Sequence, residues 1–125
     1  MKNDISRLMN ERGLDVLWVS GASHDCPEVY YLCGGVSLTA AWIIVRADGR
    51  SLLVHGAMER EAAAASGLDT VDFSALGRER IAQKENDPLA VSLEMFIRLA
   101  ERENLSGRLA VHGPVSYTHL TLPTN

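Results

Sequence analysis

The chain has 125 residues, room for one domain with one modest core. A net charge of −4, with 22% charged residues and no run of Lys or Arg, argues against nucleic-acid binding as the main activity. No apolar stretch reaches membrane-spanning length and the amino terminus is charged rather than secretory, so a soluble, cytoplasmic protein with no membrane partner is expected. Two cysteines are too few for a disulfide framework.

Ile5, Leu8 and Met9 share one helical face behind Asn3 or Asp4 as N-cap, and Gly13 closes that helix. Asp15 to Val19 is a short apolar run, the pattern of a strand covered on both faces. The turn-rich SGASHDCPE follows, then a short helical segment, EVYYLC, that stops at Gly34 and Gly35. Leu38 to Val45 and Ser51 to His55 flank Asp48-Gly49, a two-residue hairpin signal whose central residues tolerate positive φ.

Ala57 to Ser66 is rich in helix formers and ends at Gly67, Asp69 to Phe73 reads as a weak strand, and SALGRERIAQKEN reads as a polar connection. The clearest helix follows, with Asp87 as cap and Pro88 at its first position. Leu89, Leu93, Phe96, Ile97 and Ala100 form its core face, and Gly107 is its stop. RLAVHG reads as a last strand. Strands separated by helices, with one hairpin, predict a three-layer α/β/α domain over residues 1–114. Its sheet is mixed and mostly parallel, of about five strands.

Residues 115–125, VSYTHLTLPTN, alternate polar and apolar residues and could be a strand ended by Pro123. They also fit another origin. Written as codons, Val115 to Thr124 match in one frame the transposon-end adapter used in DNA library preparation, and Pro114 and Asn125 are compatible with its flanks. The segment therefore reads as adapter read-through outside the natural protein, which makes residues 1–114 a domain incomplete at its carboxyl end.

No phosphate-loop, dinucleotide, HExxH, CxxC or GxSxG motif occurs. His24, Asp25 and Cys26 are adjacent and would need converging donors, such as His55, to hold a metal; the ordinary reading is a solvated loop. Cys33 reads as a small buried hydrophobe, Cys26 as the more exposed thiol. His55 and His112 each end a strand, where a ligand crevice can form, or where a loop carbonyl satisfies the ring. Glu59, Glu61, Glu79, Glu94, Glu101 and Glu103 read as solvated, and Trp18 and Trp42 as core. The residues by themselves assemble no catalytic constellation.

The order of the pieces carries a resemblance. RLMNERGLDVLWVSG resembles the opening of the creatinase/prolidase/aminopeptidase P family, in which a helix ends in R-G-L-D and runs into an apolar strand. VYYLCGG is similar to that family's I-R-Y-L-T-G-F element at Tyr31, Leu32 and Gly34, with Gly35 where an aromatic is usual. AWIIVRADGRSLLVHGAMEREAA looks like its next strand–turn–strand–helix unit. The resemblance implies a ribonuclease H-like N-terminal domain, itself without catalytic residues, metal or cofactor.

It further implies a parent with a separate C-terminal catalytic domain holding two divalent metal ions (Mn, Co or Zn). That parent would be a metal-dependent Xaa-Pro aminopeptidase- or prolidase-like hydrolase, or a relative acting on a small C–N substrate, and a homodimer. Tyr31, Gly34, Gly35, Val36 and Ser37 would then lie in a loop near the partner subunit's substrate. Two other readings stand beside it: a self-contained ligand-binding or dimerisation module, and a small thiol or metal enzyme using His24, Asp25, Cys26 and His55.

Overall fold

The computed structural model describes residues 2–24, 26–112 and 117–122; for residues 2–4 and 117–122 only the backbone is described. In chain order it forms α1 (Lys2–Glu11), β1 (Val16–Gly21), α2 (Pro27–Leu32), β2 (Ala41–Arg46), β3 (Ser51–His55), a 3₁₀ turn (Ala57–Glu59) and α3 (Arg60–Ala65). Then come β4 (Asp69–Asp72), a second 3₁₀ turn (Phe73–Leu76), α4 (Arg78–Lys84), α5 (Pro88–Glu103), β5 (Gly107–His112) and β6 (Tyr117–Leu122). Among the described residues, no helix is long and apolar enough to cross a membrane.

The strands form one sheet in the order β4-β3-β2-β1-β5-β6. β1 pairs parallel with β5, and β3 with β4, while β2 runs antiparallel to both β1 and β3, and β6 antiparallel to β5. β1, β3, β4 and β5 thus point one way, and only β2 and the edge strand β6 point the other. This is the expected mixed, mostly parallel sheet, extended by β6.

Alternation along the strands builds two cores. Val16, Trp18, Trp42, Ile44, Val54 and Leu109 face α4 and α5, with Phe96 and Leu99 packed on them. Trp18 stacks on Phe96 at 4.2 Å between centroids and meets Trp42 edge-on at 4.7 Å, each such pair adding about 0.5–1.5 kcal/mol beyond burial. Val19, Ile43, Val45, Leu53 and Ala110 face the other layer, where α1, α2 and α3 contribute Met9, Val29 and Ala63. Runs such as VLWV and AWIIV are continuously apolar because both faces are covered.

The R-G-L-D stretch that leads into β1 has a physical reading. Gly13 turns the chain at φ +68, Leu14 is buried, and Leu14 N–H closes α1 on the Met9 carbonyl at 2.8 Å. Asp15 then clamps β5: its N–H donates to the Arg108 carbonyl at 2.9 Å, and its carboxylate accepts the Arg108 N–H at 2.8 Å.

Several expectations are corrected. α1 starts at Lys2, which places Asn3 and Asp4 inside the helix rather than at its cap. Only Gly49 of Asp48-Gly49 has positive φ; Arg46 N–H bonds the Arg50 carbonyl, so the loop has three residues with glycine in the left-handed place. The polar SALGRERIAQKEN stretch contains α4 and most of a 3₁₀ turn, because Leu76 and Ile81 are buried against α5's core. Asn104, at φ 56, ends α5 in place of Gly107, which instead opens β5.

The core face of α5 also differs. Met95, Phe96, Leu99 and Ala100 are buried, whereas Leu89, Leu93 and Ile97 are exposed. Burial follows the i, i+1, i+4 stripe centred on Phe96, which rotates the expected face by part of a turn.

Candidate functional site

The carboxyl ends of β1, β3, β4 and β5 share one edge of the sheet, the edge at which open α/β sheets place ligand crevices. The loop from Cys33 to Ala40 leaves α2 and enters β2 at that edge. It contains Gly34, Gly35, Val36 and Ser37, whereas Tyr31, expected in the same loop, lies in α2 just before it. Tyr31, Gly34, Gly35 and Ser37 are exposed and Val36 is half-buried.

Backbone chemistry shapes this loop. Gly34 and Gly35 stand at φ +74 and +85, successive left-handed positions that residues with a Cβ rarely adopt. Their N–H groups close α2 on Tyr31 and Tyr30 carbonyls at 3.2 and 2.9 Å. The buried Ser23 hydroxyl donates to the Val36 carbonyl at 2.7 Å and accepts the Leu38 N–H at 2.9 Å. Glu59, read from sequence as merely solvated, receives the Thr39 N–H at 2.8 Å and the Thr39 hydroxyl at 3.0 Å. The loop is pinned at both ends.

Beside it, on the α5 face, lies a cleft of about 300 Å³ lined by Gly21, Thr39, Trp42, Phe73, Arg78 and Met95. The Arg78 guanidinium lies 5.3 Å from the Phe73 ring centroid. The lining offers a cation and apolar walls, and no nucleophile paired with a base.

The chemistry-bearing side chains gather on the opposite face. Cys26 precedes α2, Glu28 lies in its first turn, and His112 ends β5. Parallel pairing of β1 with β5 sets Val19 beside His112 and so brings the end of β5 to the start of α2. Cys26 Sγ donates to Glu28 Oε2 at 3.4 Å, and His112 Nε2 lies 3.3 Å from Glu28 Oε1. Burial pushes the Cys26 thiol above its usual range. Glu28's own backbone N–H, then the Cys26 thiol and the charge of His112, hold the Glu28 carboxyl below its usual range.

Cys26 is buried, contrary to the sequence reading of an exposed thiol: Pro27 turns the chain into α2 and folds Cys26 under it. Cys33 is fully buried as expected. His55 is buried, with Nδ1 2.8 Å from the Gly56 carbonyl, the loop-carbonyl alternative foreseen for it. Asp25 lies outside the described residues. Among the described residues, His24 and His55 do not gather with Cys26; Glu28 and His112 do. That grouping is visible in sequence only to a reader who already pairs β1 with β5.

A family model of the creatinase/prolidase N-terminal domain matches residues 3–120. The chain belongs to the creatinase/prolidase N-terminal domain family. Its fold is also similar to the crystal structure of a dipeptidase from Pyrococcus horikoshii OT3, with a TM-score of 0.51 and 14% identity. That match covers 86% of this chain and 37% of the dipeptidase chain, so this creatinase/prolidase N-terminal domain spans well under half the length of that relative. No curated protein matches by sequence.

Proposed function

We propose that this chain is the non-catalytic N-terminal domain of a metal-dependent Xaa-Pro peptidase-like hydrolase. Hydrolysis belongs to a C-terminal domain outside these residues. The family match over residues 3–120, set against a relative of which the chain spans 37%, supports the reading. In this proposal the parent is a cytoplasmic homodimer acting on a proline-containing peptide or a small C–N substrate. The pinned loop with Gly34, Gly35, Val36 and Ser37, and Tyr31 beside it in α2, sits near the partner subunit's substrate. Residues 115–125 are adapter read-through; their pairing as β6 does not bear on their origin, because backbone pairing at an open edge is tolerant of sequence.

The parent's chemistry needs two divalent ions that activate water and polarise a carbonyl. Among the described residues the one cluster of potential ligands is Cys26, Glu28 and His112, with a single carboxylate. A dinuclear centre clamps two ions with several hard oxygen donors, and this set does not fit it. No step of hydrolysis is assigned to these residues.

The test has two arms. The purified chain with added Mn²⁺ or Co²⁺ should leave a Xaa-Pro dipeptide intact, and genomic sequence beyond the Pro114 codon should encode the metal-binding domain. Cleavage by the chain alone, or an immediate stop codon, overturns the reading.

A further inference from the structure

The geometry points to a mononuclear zinc site formed by Cys26, Glu28 and His112, with a fourth position open to water. It does not depend on the parent being a peptidase, and its ligand chemistry differs from that of a dinuclear hydrolytic centre.

Two donors on one tetrahedral zinc, at bond lengths of about 2.0–2.3 Å, lie about 3.3–3.5 Å apart. Glu28 Oε2 stands 3.4 Å from Cys26 Sγ, and its other oxygen, Oε1, 3.3 Å from His112 Nε2, so the carboxylate lies between the two other donors. The donor atoms of all three residues lie within 4.8 Å of one another, so gathering them on one ion asks for at most about 1.5 Å of closure. That closure falls on the Glu28 and His112 side chains, which are 49% and 31% exposed, towards the buried Cys26.

The chain makes room for that sulfur. A Cβ at Gly21, the last residue of β1, would lie 2.8 Å from Cys26 Cβ and 3.1 Å from Sγ. Glycine there lets the thiol seat against the strand, on the side from which His112 arrives.

The charges also close. Zinc binding breaks the Cys26 S–H bond, forms a Zn–S bond and releases one proton to solvent. Glu28 supplies a carboxylate oxygen and His112 its Nε2. Thiolate and carboxylate together neutralise the dication, which suits a site at the rim of an apolar groove lined by Ile5, Leu8, Leu17 and Leu32. Arg12, also on that groove, is the cation that opposes binding. A thiolate, an imidazole and one carboxylate select zinc over the harder Mn²⁺ or Mg²⁺.

The experiment titrates the full 125-residue chain with Co²⁺ as a spectroscopic stand-in, then displaces it with Zn²⁺. One equivalent should give tetrahedral visible bands and a sulfur-to-cobalt charge-transfer band, with proton release, and Zn²⁺ should abolish both. The charge-transfer band should vanish in Cys26→Ser and persist in Cys33→Ser. Glu28→Gln and His112→Gln alter an exposed and a half-buried side chain and should keep the native circular dichroism while weakening binding by at least about tenfold. Those two variants carry the test even if Cys26→Ser fails to fold. Absence of saturable binding, a charge-transfer band that survives Cys26→Ser, or affinity unchanged in both Glu28→Gln and His112→Gln overturns the site.

Discussion

Gly107→Ala should be among the most damaging single-methyl additions in this domain, and the structure gives the size. Gly107 stands at φ +98, where an L-residue costs about 1–2 kcal/mol. The new Cβ would lie 2.2 Å from Asp15 Oδ2, 2.5 Å from Cγ and 2.9 Å from Cβ. Side-chain rotation can clear the first two contacts, at the loss of the Asp15–Arg108 N–H bond, worth about 1 kcal/mol in this exposed position. The third is fixed to the backbone just before β1, so the β1–β5 junction must shift, adding about 1–3 kcal/mol. The sum is about 3–6 kcal/mol, a large share of a small domain's stability.

Urea unfolding followed by the fluorescence of the buried Trp18 and Trp42 measures it, with Gly67→Ala as control. Gly67 has φ +76 and nothing within 4 Å of its added Cβ, so that variant reports strain alone, about 1–2 kcal/mol. In an Asp15→Ala background Gly107→Ala should cost about 1 kcal/mol less than in the native chain, because the Asp15–Arg108 bond is already gone while the Cβ contact remains. If Gly107→Ala and Gly67→Ala cost the same, the assignment of Asp15 as a clamp packed on Gly107 is wrong.

Two further outcomes follow from capping groups. Asp72 accepts the Ser74 N–H at 2.9 Å, and that bond, helped by the charges of His55 and Arg60, holds its carboxyl below the usual range. A depressed folded-state pKa stabilises above the unfolded value of about 3.9 and is lost as pH falls through the folded value. The stability gap between the native chain and Asp72→Ala should therefore be about 1 kcal/mol at neutral pH and shrink towards pH 3; an unchanged gap speaks against it. Asp87 caps α5 by accepting the Leu89 N–H at 3.0 Å, so Asp87→Ala should cost about 1 kcal/mol in thermal unfolding while Asp87→Ser recovers most of it. Equal midpoints for the two variants would show that the cap contributes nothing.

The strands and the α5 start were legible because their signals are local: continuous apolar runs for β1 and β2, and Asp87-Pro88 for the helix. α4 was not. RERIAQK has one strongly apolar residue, Ile81, and it is helical because that residue meets α5, a tertiary effect that no window of sequence contains. The rotation of the α5 face has a similar origin, since Trp18 chooses Phe96 as its stacking partner and the rest of the helix follows. Of the candidate site, the Gly34-Gly35 loop could be read directly, because left-handed backbone calls for glycine. The Cys26–Glu28–His112 cluster could not, because its members come from opposite ends of the chain and meet only through the β1–β5 pairing.

That pairing has a consequence for how the molecule is made. β1 is flanked on one side by β2, which follows it soon after in the chain, and on the other by β5, which follows only after α5. Throughout synthesis of the intervening chain β1 therefore keeps one unpaired margin of N–H and C=O groups, with Leu17 and Val19 beside it. A nascent chain stalled before Gly107 would expose that margin to its neighbours on the polysome, and chaperone demand should peak there and fall once β5 has emerged.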